Sequence, residues 1–172
     1  MAASTPVKID TPAPVAGIFD KLGISVVTYA HAPVFTVEEG RDFKHLMPGG
    51  HTKNLFLKDH KGKLFLVTAL WDTQIDLKKL PARLSAGRFS FGNAALLEQT
   101  LGVTPGSVTP LAVMNDSERQ VTPVLDARMM DEQIVNCHPL INDKTTAMGP
   151  KDLLKFMESF GYTPIVVDFS RL

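Results

Sequence analysis

A chain of 172 residues, 44% hydrophobic and 21% charged, is expected to form one globular domain with a sizeable core. Lys and Arg total 18 and Asp and Glu total 18, so the formal net charge is zero, which excludes a bulk basic footprint for nucleic acid and leaves room only for a local patch. A single cysteine, Cys137, excludes an internal disulfide and disfavours a cysteine-built metal site. No apolar run approaches the length of a membrane span, and the N-terminus lacks the basic-then-apolar pattern of a signal peptide, so a soluble cytoplasmic protein is expected.

In chain order, residues 1–11 are small, polar and Pro-containing, and read as a flexible tail; residues 12–172 read as a single domain. Pro12 and Pro14 start a helix with Val15, Ile18, Phe19 and Leu22 on one face and Gly23 as its stop. Ile24 to Tyr29 alternate as a strand. Thr36-Val-Glu-Glu39 has the spacing of a capping box for a short helix towards His45, which Met47-Pro-Gly-Gly50 breaks. Gly50 to Val67 reads as a hairpin: Leu55, Phe56 and Leu57 open its first strand, Asp59-His-Lys-Gly-Lys63 turns, and Leu64 to Val67 return. Lys53 and Asn54 stand where the first strand is expected to begin.

Beyond the hairpin, Asp76 is placed to cap a helix over Leu77–Leu84, interrupted by Pro81, and Phe89 and Phe91 alternate briefly. Asn93 caps a helix in which Ala94, Leu97 and Leu101 face inward and Gly102 terminates. Gly106-Ser-Val-Thr-Pro110 is a loop. Leu111–Met114, Val121–Asp126 and Ile134–Cys137 read as strands, with Thr145 and Thr146 starting another. A last helix begins at Gly149-Pro150, carries Leu153, Leu154, Phe156, Met157 and Phe160 as an apolar stripe, and stops at Gly161; Ile165–Phe169 is the closing strand. Helices and short strands mix without strict alternation. The expected class is α+β (mixed α/β), a mixed, largely antiparallel sheet with helices packed around it.

Several chemistries are disfavoured by what is missing. There is no Gly-x-Ser-x-Gly elbow, no His-Glu-x-x-His, and no Gly-x-x-x-x-Gly-Lys-Ser/Thr phosphate loop. Three polar constellations remain: Lys53-Asn54, the Gly106–Pro110 loop, and His138 with Asn142, Thr145 and Thr146. In the loop, Gly106 permits close backbone approach and the amides of Ser107 and Val108 could donate to a carbonyl or oxyanion. Each also has a bland reading, as a polar strand entrance, an ordinary connection stiffened by Pro110, or a strand-end histidine bonded to backbone.

Together these pieces resemble the YbaK/ProX family, the aminoacyl-tRNA deacylase domain also found inserted in bacterial prolyl-tRNA synthetases; the free-standing ProX type (also called PrdX or ProXp-ala) is the nearest in pattern. The resemblance rests on His31-Ala-Pro-Val-Phe-Thr-Val-Glu-Glu39, Gly50-His-Thr-Lys-Asn-Leu-Phe-Leu-Lys58, Gly106-Ser-Val-Thr-Pro110 with Asn115-Asp116, and Cys137-His-Pro-Leu-Ile-Asn142 with Thr145-Thr146, and runs from about Pro12 to Phe169. Cys137 is a departure, since an aromatic residue is expected before the His-Pro pair.

The resemblance implies a fold like that of the prolyl-tRNA synthetase editing domain. It also implies a trans-acting hydrolase that deacylates mischarged tRNA, with alanine on proline tRNA as the substrate. Lys53, Asn54, Gly106 and His138 would carry catalysis. His31, Thr52, Ser107, Val108, Thr109, Pro110, Asn142, Thr145 and Thr146 would bind substrate. Lys53 would engage the terminal phosphate or position the tRNA end, and no metal or organic cofactor would be required. The implied partner is the 3′ end of tRNA(Pro), with transient contact to prolyl-tRNA synthetase or an elongation factor and none to a membrane. With no room for a synthetase catalytic or anticodon domain, the chain is expected to edit after release. Alternatives are a deacylase for Ser- or Cys-tRNA and a non-catalytic nucleic-acid or nucleotide-binding module. Cys137, at an apolar strand end, is not expected to be a nucleophile, and the His138 side chain is expected on the opposite face if the strand continues.

Overall fold

The computed structural model describes residues 5–36 and 38–172; residues 1–4 of the expected tail and Val37 of the expected capping box lie outside them. In chain order the elements are β1 (Val7–Ile9), α1 (Val15–Leu22), β2 (Val27–Ala30), α2 (Arg41–Lys44), β3 (Gly50–Asp59), β4 (Leu64–Leu70), α3 (Leu80–Arg83), β5 (Phe89–Phe91), α4 (Ala94–Leu101), a 3-10 helix (Pro110–Asn115), β6 (Val121–Asp126), α5 (Ala127–Met130), β7 (Val135–Cys137), β8 (Lys144–Met148), α6 (Pro150–Ser159), β9 (Ile165–Val167) and a closing 3-10 turn (Phe169–Arg171).

Among the described residues the strands form one nine-stranded sheet in the order β1-β2-β8-β7-β3-β4-β6-β9, with β5 added to β3. The pairings β3–β7, β4–β6 and β6–β9 are parallel and the others antiparallel, so the sheet is mixed and largely antiparallel as expected. The hairpin is its spine, running in register from Thr52↔Leu70 to Lys58↔Leu64. Its turn is held by Asp59, a buried carboxylate that accepts from the amides of Lys61 and Lys63 (2.9 Å each) and of Gly87 (3.0 Å).

All seven residues of β4 are buried because cores lie on both faces of the sheet. One core gathers Phe56, Leu64 and Leu66 with the inward stripes of α1, α4 and α6; the other gathers Leu57, Phe65 and Val67 with Leu80, Leu84 and Phe169. Leu153, Phe156 and Met157 of α6 are fully buried. At about 1.5–3 kcal/mol each, they contribute several kcal/mol of gross burial to anchoring that helix.

The structure departs from the sequence expectations where long-range pairing overrides local pattern. Val7–Ile9, inside the stretch expected to fray, pairs with β2 through its backbone although all three residues are exposed. Leu111–Met114 is not a strand but part of the Pro110–Asn115 3-10 helix, whose first turn accommodates Pro110 and whose cap is Thr109 Oγ1, accepting from Leu111 N at 3.3 Å. A short apolar run reads alike as buried strand or helix, so its period could not decide. The helix expected over Leu77–Leu84 shrinks to α3: Asp76 Oδ1 accepts from the amides of Lys78 and Lys79 in a turn, and Pro81 sits in the first helical turn, where its missing N–H costs nothing. Ala94 faces solvent while Leu97 and Leu101 are buried. The reciprocal bonds of the capping box form, Glu39 N to Thr36 Oγ1 and Phe35 N and Thr36 N to Glu39 Oε2, but α2 starts only at Arg41, with Gly40 as its cap. Strand β3 begins at Gly50, which puts Lys53 and Asn54 inside the strand rather than at its entrance.

Candidate active site

A cavity of about 200 Å³ opens where β2, β3, β7 and β8 converge under the segment carrying α2. Its position follows from a gap in the sheet. On the side of β3 away from β4, β7 pairs only with Gly50 and His51, and β5 begins pairing at Leu57. Between them the strand edge lacks a neighbour. Trp71 N donates to His51 O at 2.9 Å, so by antiparallel alternation the odd-numbered backbone groups of β3 face β4 and those of Asn54 face the gap. Among the described residues the Asn54 N–H is thus an unpaired edge donor beside the cavity.

Of the residues expected at the site, His31, Thr52, Lys53, Asn54, Gly106, Val108, His138 and Thr145 all line this cavity. Lys53 and Asn54 do so from opposite faces of β3, because side chains alternate along a strand. Asn54 lies on the side of Phe56 and its Oδ1 accepts from Thr68 Oγ1 at 2.7 Å. Lys53 lies on the side of Leu57, where its ammonium donates to Thr73 O. Burial lowers the Lys53 pKa, against the pull of Asp72 and Asp126. Behind it, fully buried Asp126 accepts from Leu70 N (3.2 Å), Thr73 Oγ1 and Arg128 N (3.0 Å), fixing the turn after β4.

Three histidines form the polar wall, and their tautomers follow from their partners. A backbone carbonyl can only accept, so the ring nitrogen facing one carries the hydrogen. His31 Nδ1 donates to Ala32 O (2.8 Å), leaving Nε2 to accept from Thr145 Oγ1 (2.8 Å). His51 Nε2 donates to Met47 O (2.9 Å), and His138 Nδ1 donates to Lys144 O (2.8 Å). Burial, the largest influence on each, lowers the pKa of all three from the ordinary 6.5, so the rings are neutral near pH 7. His138 Nε2 and His51 Nδ1 keep bare lone pairs among the described residues. The ring centres of His31 and His138 are 6.4 Å apart.

The Gly106 loop differs from expectation in its donors. Ser107 is buried and its N–H is spent on Thr104 O (3.0 Å), so the adjacent amides of Ser107 and Val108 do not form a pair of free donors. Gly106 has φ +90°, a backbone conformation that favours glycine, and a Cβ there would lie 3.1 Å from the exposed Phe35 ring, which would have to shift slightly. Thr109 and Pro110 are buried in the 3-10 helix start and do not reach the cavity. Thr146 points to the other face of β8, bonding Thr28 Oγ1 at 2.9 Å. Asn142 also sits behind the wall: its Nδ2 donates to Val34 O (3.3 Å) and its carbonyl accepts from Val34 N (3.3 Å), tying the segment after β2 to the β7–β8 connection. Cys137 and His138 both contribute to the wall rather than to opposite faces, because β7 ends at Cys137 and alternation ends with it.

Sequence reasoning passed over His51, Phe43, Lys44, Met47 and Asn136, which also line the cavity. Asn136 is 2% exposed, donates Nδ2 to Pro48 O (3.1 Å) and Gly50 O (3.4 Å), and leaves Oδ1 buried with no partner among the described residues. A buried orphan acceptor is expensive unless a ligand or water meets it. No local signal marks it: Asn136 is one polar residue in an apolar strand. Among the described residues no group of three or more His, Cys, Asp or Glu side chains is placed to hold a metal ion.

A small pocket that brings neutral histidine acceptors, the Lys53 ammonium and an open strand edge together suits hydrolysis of an activated ester. Comparison with known proteins agrees: the sequence profile of the aminoacyl-tRNA editing domain matches residues 31–156, and the chain belongs to that family. It is an aminoacyl-tRNA deacylase. Prolyl-tRNA synthetase associated domain-containing protein 1 of Danio rerio is 40% identical over 151 residues, covering 87% of this chain and 82% of that protein. Prolyl-tRNA editing protein ProX of Acetoanaerobium sticklandii is 33% identical over 156 residues, covering 90% and 95%. Among solved structures, one described as a proposed trans-editing enzyme for prolyl tRNA synthetase superposes with a TM-score of 0.67 at 20% identity, over 90% of this chain and 92% of that one. A hypothetical protein, APE2540, superposes with a TM-score of 0.71 at 17% identity, over 90% and 97%. At these identities the two structures speak for the fold alone, and the fold they share is the mixed α+β one described above.

Proposed function

We propose that the protein acts in trans to remove alanine from mischarged proline tRNA. The observation that carries this is the size of the cavity. About 200 Å³ is below the ~300–1,000 Å³ of sites for drug-sized ligands, and suits a small aminoacyl group rather than a whole nucleotide. The chemical need is plain: a synthetase pocket that admits proline cannot exclude alanine by sterics, since missing methylenes are worth only ~1–3 kcal/mol, and a second, smaller sieve supplies the rest. The ProX relative, whose name specifies prolyl-tRNA editing, supports proline tRNA as the carrier. The partner in this reading is the 3′ end of tRNA(Pro), and contact with prolyl-tRNA synthetase or an elongation factor is transient.

The reaction adds water across the ester: its oxygen bonds to the carbonyl carbon, the bond to the terminal ribose oxygen breaks, and a proton passes to that oxygen. The ester is already activated, so the protein has to orient it and stabilise the oxyanion. His138 Nε2, an acceptor without a hydrogen, meets the attacking water, while Asn136 holds the β3 start in place through Pro48 O and Gly50 O. The edge N–H of Asn54 donates to the developing oxyanion. Lys53 holds the tRNA end from the far side of β3. His31, locked by Thr145, shapes the wall.

Side-by-side deacylation of Ala-, Ser-, Cys- and Pro-tRNA(Pro) tests the proposal. Alanine should be released fastest and proline should stay attached. Fastest release of serine or cysteine would replace the assigned amino acid, and loss of proline at the alanine rate would refute the sieve.

A further inference from the structure

We propose that a cleft beside the cavity, built on Trp71 and edged by Arg41 and Lys44, holds the unpaired nucleotide that precedes the aminoacylated adenosine. This rests on the deacylase reading, because it places the strand leading into the ester. The cleft has a volume of about 350 Å³ and shares Lys44, Met47 and His51 with the aminoacyl cavity, so the two are adjoining rooms with a common wall.

The chemistry is that of a single-stranded RNA platform. Trp71 is 39% exposed, a large aromatic left open to solvent where β4 ends. The Arg41 guanidinium carbon lies 5.5 Å from the centre of its ring. An unpaired base has a π-face that can stack on such an indole and guanidinium, whatever its sequence. Arg41, Lys44 and His45 line the cleft, and among the described residues no Asp or Glu lines it, Glu38 acting on Lys44 from outside, in a chain whose net charge is zero. That local excess matches a phosphodiester and not an acidic-residue-seeking ligand. The platform is also registered to the chemistry, since Trp71 N is bonded at 2.9 Å to the carbonyl of His51, which lines both rooms.

Trp71 is the only tryptophan in the chain, so its fluorescence reports the cleft directly. Titration of the protein with the uncharged RNA trinucleotide CCA should quench it saturably, with binding weakened several-fold by Arg41→Gln and by added salt. In kinetics, Trp71→Ala should raise KM for aminoacyl-tRNA on the order of tenfold with kcat unchanged, and leave hydrolysis of aminoacyl-adenosine, which lacks the preceding nucleotide, as in wild type; Trp71→Phe should retain most of the affinity. Absence of quenching at millimolar CCA, or an equal KM change on both substrates, would overturn the subsite while leaving the deacylase reading intact. Saturable quenching in a protein that hydrolyses no charged tRNA would uphold the subsite and sink that reading instead.

Discussion

Replacing Lys53 with alanine separates what this side chain does for the fold from what it does for the substrate. Its ammonium donates to Thr73 O in a half-buried position beside Asp126. A hydrogen bond from a charged donor is worth about 1.5–3 kcal/mol when fully shielded, and partial solvation cuts this to about 1 kcal/mol. For a domain of this size that is a loss of roughly 2–4 °C in Tm. The Asp126 carboxylate keeps its bonds to Leu70, Thr73 and Arg128, so the turn after β4 stays formed. The effect on turnover is larger if the ammonium meets the tRNA end or the charge developing there: removing one donor of that kind costs on the order of 10²–10³ in rate. Lys53→Met keeps the aliphatic stem and removes only the charge, and should match the alanine variant in activity while melting closer to wild type. The assay is single-turnover release of alanine from Ala-tRNA(Pro), with melting curves for both variants in the same buffer. A rate within about threefold of wild type would remove Lys53 from the site, contrary to the expected magnitude. A Tm loss far beyond ~4 °C would show that Lys53 holds the turn itself, and the argument for a local effect would fail.

His138→Ala enlarges the cavity at a wall position, so hydrolysis of Pro-tRNA(Pro) should rise relative to Ala-tRNA(Pro) even as total activity falls; an unchanged ratio means that proline is excluded elsewhere. Burial pushes the Cys137 thiol up to about 12, leaving almost no thiolate at neutral pH, so Cys137→Ser should keep activity within a small factor and the folded protein should alkylate slowly; trapping an aminoacyl group on Cys137 would overturn water attack. The pKa values of His31, His51 and His138 are lowered in the folded state from 6.5, so the unfolded chain binds more protons below that pH. Stability from these neutral rings is therefore present above pH 6.5 and lost on acidification towards their folded pKa values, and Tm should fall between about pH 7 and pH 5; a rise on acidification would mean that the rings are charged in the fold.

What the sequence by itself determined is what short-range chemistry controls. Asn93 accepting from Leu96 N and Gly102 ending α4, the Gly62-containing hairpin turn held by Asp59, and the buried stripe of α6 all depend on residues within a few positions of one another. The polar residues in motif order, Lys53-Asn54, Gly106 and His138, were legible for the same reason. That these four share a site was implied by the resemblance, and all four line one cavity; which of their neighbours join them was not legible, because that depends on strands brought together from opposite ends of the chain. Alternation along β3 and β8 divides neighbours, sending Lys53 and Asn54 to opposite faces and setting Thr145 on the cavity while Thr146 turns away. The sheet order leaves β3 uncovered between β7 and β5, and so creates the Asn54 edge donor. Carbonyls distant in sequence or set by loop geometry fix the tautomers of His51 and His138, and burial keeps those rings neutral. The orphan oxygen of Asn136 and the pairing of Arg41 with Trp71 likewise exist only after folding, since a residue's hydrogen-bond and stacking partners are properties of the packed chain and not of its local sequence.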